Sequence, residues 1–363
     1  MKGLALKELA AEVGRQAQMK RDFIAPANRI KYVLSDEAVD TGYTRLTMDG
    51  QETPYNIGEL FHNQMGEHLK IPRAYYQRML ANAPVLLRRN VNHWLAQDPS
   101  NRMIRTLDGR ARAFLSDRYR VLDNFDLCEA ILPLFTKHNL EVVSADVTER
   151  RLYLKAIHPG LKAEVQGRKV GDVVQGGVSV WNSETGFGTM GAAAFIYTLS
   201  CLNGMTVPMS GLRRFHLGRR YDGDEAQAQE VFRDETREMD DRAFFMKIQD
   251  VVSACLEEKR FQEVMRKISD AASDNEMSTS KGRPIEEAVE VTRKSFGLTE
   301  TEGASILKHL INGGDLSRWG LASAVTRAAQ DTESYDRFDD LQRIGGEIVE
   351  LPKRRWAEIA LRN

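Results

Sequence analysis

The sequence is poor in cysteine, and nothing in it has the pattern of a membrane span or an export signal. The three cysteines, Cys128, Cys201 and Cys255, are far apart and lie among apolar residues, which predicts buried thiols in a reducing compartment. No apolar run approaches the roughly 20 residues that a transmembrane helix needs. Residues 1–20 scatter charges through a helical pattern and lack the unbroken apolar segment of a signal peptide. We therefore expect a cytoplasmic protein that does not contact a membrane.

Motifs of the common catalytic and metal sites are also missing. The chain contains no His-Glu-x-x-His, no Cys-x-x-Cys, no Gly-x-Ser-x-Gly and no Walker A lysine. The neighbouring acids Asp240-Asp241 and Asp339-Asp340 lie in highly charged stretches, where solvated surfaces explain them better than a two-metal centre. We therefore predict no catalytic residue, no metal site and no cofactor.

One glycine motif is present, because Gly186, Gly188 and Gly191 fit Gly-x-Gly-x-x-Gly. The dinucleotide fingerprint requires a strand directly before the first glycine, a helix after it and an acid about 20 residues further on. Polar, turn-prone residues precede Gly186, and the first acid after Gly191 is Asp222. A β-hairpin whose glycines adopt positive φ angles is the better interpretation.

The hydrophobic pattern changes its period along the chain. Alternation of apolar and polar residues predicts strands at 29–34, 43–48, 112–115, 141–146 and 151–158, and another strand ending at Trp181. Helical spacing predicts helices at 4–19, 56–69 and 85–97, and through most of the chain after Asp222. We predict an α+β fold with two parts. Residues 1–222 form a mixed strand/helix core domain with a basic middle (68–222), and residues 223–363 form a mainly helical, acidic C-terminal region.

The net charge of -1 conceals an uneven distribution. Residues 68–222 carry 22 Lys and Arg against 13 Asp and Glu, whereas residues 223–363 carry 21 against 29. A basic segment beside an acidic one is typical of proteins that contact nucleic acid, although a solvated basic face balanced by acids has the same composition. Arginine dominates the basic middle, and its planar guanidinium binds phosphate bidentately and stacks on bases.

The densest positive charge lies between Gly211 and Arg220, with four arginines, one histidine and no acid. Aromatic residues are interspersed with the cations through the basic middle. Single-strand binding uses such a mixture, with cations for the backbone and flat rings for the bases. Internal ion pairs between these arginines and distant acids are the alternative interpretation. The residues that we predict to contact nucleic acid are Arg88, Arg89, Arg110, Arg112, Arg118, Tyr119, Arg120, Trp181, Asn182, Arg213, Arg214, His216, Arg219 and Arg220.

Several short motifs follow one another in a distinctive order. They are LKIPRAYY (69–76), NHWL (92–95), RAFLSDRYR (112–120), WNSETG (181–186), CLNGM (201–205) and HLGR (216–219). In this order they resemble the phage- and plasmid-associated family catalogued as "domain of unknown function 932". The resemblance extends over roughly residues 22–345. Members of that family tend to occur on mobile elements near recombination genes, so the resemblance implies nucleic-acid metabolism in such an element and assigns no catalytic residue.

These observations favour a non-enzymatic nucleic-acid-binding protein of a phage or mobile element. Its expected role is single-stranded DNA binding or annealing during recombination. Homo-oligomers are a reasonable addition to this expectation. Two alternatives stay open. A metal-dependent nuclease or nucleotide-modifying enzyme would use Asp117, Asp123 and Glu184 with nearby arginines. An interaction or inhibitor protein would act on a host factor through its acidic C-terminal region.

Overall fold

Two six-stranded sheets organise the chain. A computed structural model describes residues 2–34, 44–48, 54–119, 121–165, 173–199, 203–207 and 234–362. The strands in these ranges are β1 (Lys2–Gly3), β2 (Arg21–Pro26), β3 (Ile30–Leu34), β4 (Thr44–Met48), β5 (Tyr55–Ile57), β6 (Asn101–Leu107), β7 (Arg110–Ser116), β8 (Glu141–Val147), β9 (Leu152–Glu164), β10 (Val173–Asn182), β11 (Gly191–Thr198) and β12 (Asn203–Val207). The first sheet has the order β1-β8-β9-β10-β11-β12 and the second β2-β6-β7-β5-β4-β3. Only the pairs β1–β8 and β5–β7 are parallel among these described strands.

Helices cover both sheets and make up most of the C-terminal region. They are α1 (Leu6–Met19), α2 (Glu59–His68), α3 (Arg73–Asn82), α4 (Pro84–Leu95), α5 (Asn124–Lys137), α6 (Asp234–Cys255), α7 (Glu258–Ser273), α8 (Ile285–Phe296), α9 (Glu300–Gly313), α10 (Arg318–Ala328), α11 (Tyr335–Val349) and α12 (Lys353–Ala360). The predicted α+β class is confirmed, with mixed strands and helices in the middle of the chain and helices after it. None of the helices in the described ranges has the length and apolar character needed to cross a bilayer.

In the described part of the chain, two large hydrophobic cores divide the structure, and Met103, Ala113 and Leu115 form a small third cluster. The second sheet and helices α2, α3 and α4 share one core, and we call residues 21–119 the inserted lobe. Helix α1, the first sheet and the helices from α5 onward share the other core and form the main lobe. The chain therefore enters the inserted lobe after α1 and leaves it before α5. Trp319 and Trp356, both fully buried, belong to the same core as the first sheet.

The domain division predicted at Asp222 lies outside the described residues, so that boundary stays a prediction. The two large cores nevertheless divide the described residues at other places in the chain. Within the described part of the chain, the C-terminal helices have no core of their own, because their apolar faces are buried in the same cluster as β8 to β12. A long apolar helix face must pack against something, and the first sheet supplies that surface.

The segment with the three glycines is a β-hairpin, as predicted. Strands β10 and β11 pair antiparallel with Val178 opposite Ala194, and residues 183–190 connect them. Of its three glycines, Gly186 has a positive φ, +70°, which a residue with a side chain rarely adopts, whereas Gly188 and Gly191 do not have the positive φ that was expected of them. A strand and not a helix follows the last glycine, so the segment does not form a dinucleotide fold.

The prediction that Asp339 is part of a solvated surface is wrong. Its side chain is buried in α11, and its carboxylate accepts a 2.6 Å contact from Lys155 Nζ. Lys155 also donates to Gln342 Oε1 at 2.5 Å, and its ammonium lies 5.0 Å from the centre of the Phe338 ring. This buried pair joins β9 to α11. The acidic composition of the region concealed it, because the partner lies 184 positions earlier in the chain.

The described cysteines agree with the prediction of buried thiols. Cys128 and Cys255 are both buried and carry free thiols. Burial raises the pKa of each thiol to about 12, which keeps it protonated and unreactive at neutral pH. Cys201 lies outside the described residues.

Candidate nucleic-acid interface

Helices α3 and α4 follow each other almost without a break. Pro72 precedes the first residue of α3 and Pro84 occupies the first turn of α4, positions where the missing proline N–H costs nothing. Ala83 alone separates the two helices. We call residues 69–97 the helix pair.

One side of the helix pair is buried against the second sheet. The buried side chains are Tyr76 and Met79 of α3 and Leu87, Val91 and Leu95 of α4. Fully burying each of these aliphatic side chains contributes on the order of 2 kcal/mol. The packing therefore holds both helices on the sheet and leaves their opposite sides facing solvent.

Asn92 fixes α4 to the edge of this sheet. Its side-chain Nδ2 donates to the carbonyl of Tyr32 on β3, and its Oδ1 accepts from the backbone N–H of the same residue, both at 2.8 Å. The amide thereby takes the place of a neighbouring strand. It satisfies part of the open edge of β3, which would otherwise attract another strand, and it sets the rotation of α4 about its axis.

The solvent-facing side of the helix pair is basic. Residues 69–97 contain five Lys and Arg and no Asp or Glu. Arg73, Arg78 and Arg89 are exposed, and Arg88 is half-buried. In the described part of the chain, none of these four arginines forms an ion pair. Their positive charge is therefore available to an external anion.

Exposed rings accompany these charges. Tyr75 is 46% exposed and Trp94 is 47% exposed, although residues of this size are ordinarily buried for much of their surface. The imidazole of His93 lies edge-on to Trp94, with 5.0 Å between ring centres. Flat rings with a free face beside cations are the elements of a single-strand binding surface.

Helical spacing arranges the outer side of α4 in two parallel rows. Val85, Arg89 and His93 follow one another at intervals of four residues, and so do Leu86, Asn90 and Trp94. Each row extends about 12 Å along the helix. Each row thus contains, in the same order along the helix, an apolar side chain, a polar or charged side chain and a ring.

Two of the predicted contact residues lie in the interior. Arg112 is 6% exposed, and its Nη2 lies 3.0 Å from Glu184 Oε2. Asn182 is buried as well, and its amide donates to the carbonyl of Leu122 and to Asn124 Oδ1, both at 2.9 Å. We correct the prediction for both residues, because a side chain already bonded inside the protein is not free to meet a ligand.

Other predicted residues lie nearer the surface but have internal partners. Tyr119 is half-buried, and its hydroxyl donates to the carbonyl of Ser183 at 2.9 Å. Trp181 is half-buried under the guanidinium of Arg343, 5.5 Å from the ring centre. Arg110 is exposed and pairs with Glu149 at 3.0 Å.

Of the fourteen predicted residues, only Arg88 and Arg89 fall on the helix pair. Arg118 is exposed just beyond the end of β7. The remaining predicted residues, which lie outside the described ranges, are Arg120, Arg213, Arg214, His216, Arg219 and Arg220.

A buried ionic cluster joins the two lobes, and sequence reasoning did not find it. Glu184, 2% exposed, pairs with Lys20 and Arg112 and accepts the backbone N–H of Asn124 at 2.7 Å. Burial alone would raise the pKa of Glu184. The charges on Lys20, Arg112 and Arg105 outweigh it and lower the pKa to about 2.

Arg105 completes this cluster and is fully buried. It donates to Asp123 at 2.7 Å, to Asp22 at 3.0 Å and to the carbonyl of Glu184 at 2.9 Å. The pairing of β6 with β7 shifts between Arg105 and Thr106, which leaves Arg112 as the extra residue of a β-bulge. Bulges re-aim side chains, and this irregularity accompanies the convergence of both arginines on Glu184.

The enzyme alternative obtains no support from this cluster. Asp123 and Glu184 do lie near each other, but each carboxylate is already paired with a buried cation. A divalent metal would have to displace those cations to use the same oxygens. Asp117, the third residue of that alternative, is exposed at the end of β7. Among the described residues, no group of three or more His, Cys, Asp or Glu is arranged to hold a metal ion.

Comparison of the chain with protein-family models, with curated proteins and with solved structures finds no match. The resemblance to domain of unknown function 932 therefore stays a prediction. The case for the helix pair rests on its own geometry and charge.

Proposed function

We propose that this protein binds single-stranded nucleic acid, single-stranded DNA above all, on the outer side of the helix pair. One observation carries the proposal. Arginines without an ion-pair partner in the described structure occur on the same two helices as the exposed rings of Tyr75 and Trp94, in a segment that contains no acid. Such a surface neutralises phosphates and stacks bases at the same time.

The proposed binding mode follows from the two helices. On α3, Tyr75 and Arg78 are three residues apart and therefore neighbours on one side of the helix. On α4, Arg89 lies five residues before Trp94, about 7.5 Å away along the helix axis. A strand that crosses both helices would place phosphates on the guanidiniums and bases on the rings.

Annealing is the sharpest form of this proposal. Bases that stack on Tyr75 and Trp94 keep their Watson–Crick edges free for a complementary strand. A place in the recombination of a phage or mobile element follows from the sequence resemblance, and assembly into oligomers follows from annealing, since annealing proteins commonly act as rings or filaments.

A titration of fluorescently labelled single-stranded DNA against increasing salt tests the proposal. We expect binding at low salt, and the logarithm of the association constant should fall with the logarithm of the salt concentration by about 0.7 per phosphate contact. The same titration with duplex DNA measures the strand preference. Absence of binding at low salt would refute the proposal.

A protein partner is a second candidate for the same surface. Val85 and Leu86 are exposed on α4, and two large apolar side chains beside arginines also suit a protein interface. The substitution L86S distinguishes the two functions, because nucleic-acid binding depends on the arginines and rings. A loss of DNA binding in L86S equal to that in an arginine variant would place Leu86 in the nucleic-acid surface and would count against the protein partner.

A further inference from the structure

A second cluster of cations lies on the main lobe, at the tip of the β10–β11 hairpin. Phe187 is 40% exposed there. The guanidinium of Arg150 lies 4.6 Å from the centre of its ring, and that of Arg151 lies 5.2 Å from it. Two consecutive arginines thus share one aromatic platform.

The platform is held rigidly. Ser183 Oγ donates to the carbonyl of Arg150 at 2.8 Å and accepts the backbone N–H of Phe187 at 3.0 Å. Gly188 leaves room beside the ring for the Arg151 guanidinium, because a Cβ at that position would lie 2.6 Å from it. The backbone of the turn and the ring are therefore fixed relative to each other before any ligand arrives, which lowers the entropic cost of binding.

The charge of this cluster is only partly compensated. In the described structure, no carboxylate lies within ion-pair distance of Arg150 or Arg151. The neighbouring Glu149 is already paired with Arg110 at 3.0 Å. Asp340 interacts electrostatically with Arg151, although burial raises the pKa of the Asp340 carboxyl. Both arginines are half-buried, the ring lies against the faces of their guanidiniums, and Arg151 Nε is buried without a hydrogen-bond partner, so the terminal N–H groups are the part left for an anion.

Polar contacts connect this cluster with the helix pair. Gln77 of α3 donates to Asn63 Oδ1 of α2 at 3.2 Å, and the next residue of α2, Gln64, donates to the carbonyl of Thr185 at 2.7 Å. Thr185 is two positions before Phe187. All three side chains that make this connection are amides, so it carries no charge that would repel a polyanion.

We propose that Arg150 and Arg151, held by Phe187, form a second phosphate-binding site for the strand that binds the helix pair. This inference rests on the proposed function of the helix pair. The ligand is a phosphodiester group of single-stranded nucleic acid, and the two sites lie on different lobes. A strand long enough to reach both sites binds more tightly than one that reaches only the helix pair, since the second contact is intramolecular.

Two oligonucleotides test the inference, deoxythymidine strands of about 8 and about 30 nucleotides, one within and one beyond the roughly 4–16 nucleotides common for a single-strand site. The full-length protein is compared with F187A, with F187Y, which keeps the ring, and with F125A. Phe125 is 39% exposed on α5 and is the matched control. We expect F187A to bind the long strand about tenfold more weakly, with F187Y and F125A unchanged. Binding of the short strand should be the same in all four proteins.

Each outcome decides one of the two proposals. If the long strand binds no better than the short one, or if F187A leaves both unchanged, the second site is refuted and the helix pair stands. If neither strand binds, both proposals fall. Equal loss in F187A and F187Y, with a lowered melting temperature, would make Phe187 a structural residue and would also refute the site. Inorganic phosphate, added at the same phosphate concentration as the long strand, serves as a competitor. Displacement of the long strand to the affinity of the short one would indicate a site for free phosphate and refute the strand site, whereas unchanged binding would support the strand site.

Discussion

Arg88 and Arg89 of the helix pair and Arg105 and Arg112 of strands β6 and β7 come from one stretch of 25 residues but differ in their surroundings. Arg88 and Arg89 lie at the surface without an ion-pair partner in the described structure, whereas Arg105 and Arg112 are buried and paired. Composition does not separate the two groups. Their partners do, because the acid that neutralises Arg112 is Glu184, 72 positions further along the chain.

This contrast shows how to interpret positive charge in such a sequence. An arginine buried with its carboxylate stabilises the fold only in company with that carboxylate, since either group alone is costly to bury. An arginine left at the surface contributes little to folding and is available to a ligand. The two groups should therefore respond to substitution in opposite ways, in stability for one and in binding for the other.

The largest effect should come from E184Q. The substitution leaves Lys20, Arg105 and Arg112 with one carboxylate fewer, and breaking a buried pair of this kind costs about 3–5 kcal/mol. Urea unfolding measures the loss in the free energy of unfolding. The matched control is E149Q, whose partner Arg110 is exposed. Similar losses in both variants would contradict the distinction between buried and surface arginines.

Acid should weaken the protein through the same carboxylate. The folded pKa of Glu184 is about 2, against an ordinary value of 4.5. The stabilisation is fully present above pH 4.5 and is lost as the pH falls towards 2, to a total of about 3 kcal/mol. Unfolding free energies measured from pH 6 to pH 2 should fall more steeply for the natural protein than for E184Q. Parallel profiles would show that Glu184 is not the titrating group.

Removal of the surface arginines should affect binding and not folding. For R88A/R89A we expect single-stranded DNA binding to weaken about tenfold and the salt slope to become shallower by about 1.4, for two phosphate contacts. The free energy of unfolding should change by less than about 0.5 kcal/mol. The adjacent exposed arginines of α12 supply the control R354A/R355A. Equal binding losses in the two double variants would point to net charge and not to the helix pair.

Loss of the exposed indole should have a smaller effect. We expect W94A to weaken single-stranded DNA binding by roughly 1 kcal/mol and W94F by less, since a phenyl ring still stacks. Acrylamide quenching gives an independent measure, because Trp319 and Trp356 are fully buried while Trp94 is exposed. Bound DNA should protect the natural protein from quenching and should protect W94F much less.

The smallest effect should come from R110A. Arg110 and Glu149 form an exposed ion pair, and such pairs contribute about 0–1 kcal/mol. The melting temperature of R110A should therefore be close to that of the natural protein. A loss as large as that of E184Q would contradict the contrast between the two groups of arginines.

Local pattern predicted much of the secondary structure. Strands were predicted at 29–34 and 43–48, and the structure has them at Ile30–Leu34 and Thr44–Met48. The strands at 141–146 and 151–158 were also predicted and are β8 and β9, and the hairpin at Gly186 was predicted correctly. These features depend on period-2 alternation and on turn residues, which are properties of neighbours in the chain.

The candidate site could be predicted only in part. Arg88 and Arg89 were selected, and Trp94 was visible as an aromatic among cations. The helical period alone could have identified their exposed side, because the apolar positions Leu87, Val91 and Leu95 mark the opposite one. Phe187 was visible as another aromatic among the cations, but its contacts with Arg150 and Arg151 were not foreseen, since those arginines lie 37 and 36 positions earlier in the chain.

By itself the sequence determined the α+β class, the main helices and strands, and the absence of acids from residues 69–97. These are consequences of composition and of short-range periodicity, which each segment carries within itself. Only the tertiary structure decided that Glu184 neutralises Arg112, that Lys155 faces Asp339, and that the C-terminal helices share a core with the first sheet. Burial and ion pairing depend on which distant segments meet. Arginine is therefore part of the buried scaffold at positions 105 and 112 of the second sheet, and part of the candidate binding surface at positions 88 and 89 of the helix that packs on that sheet.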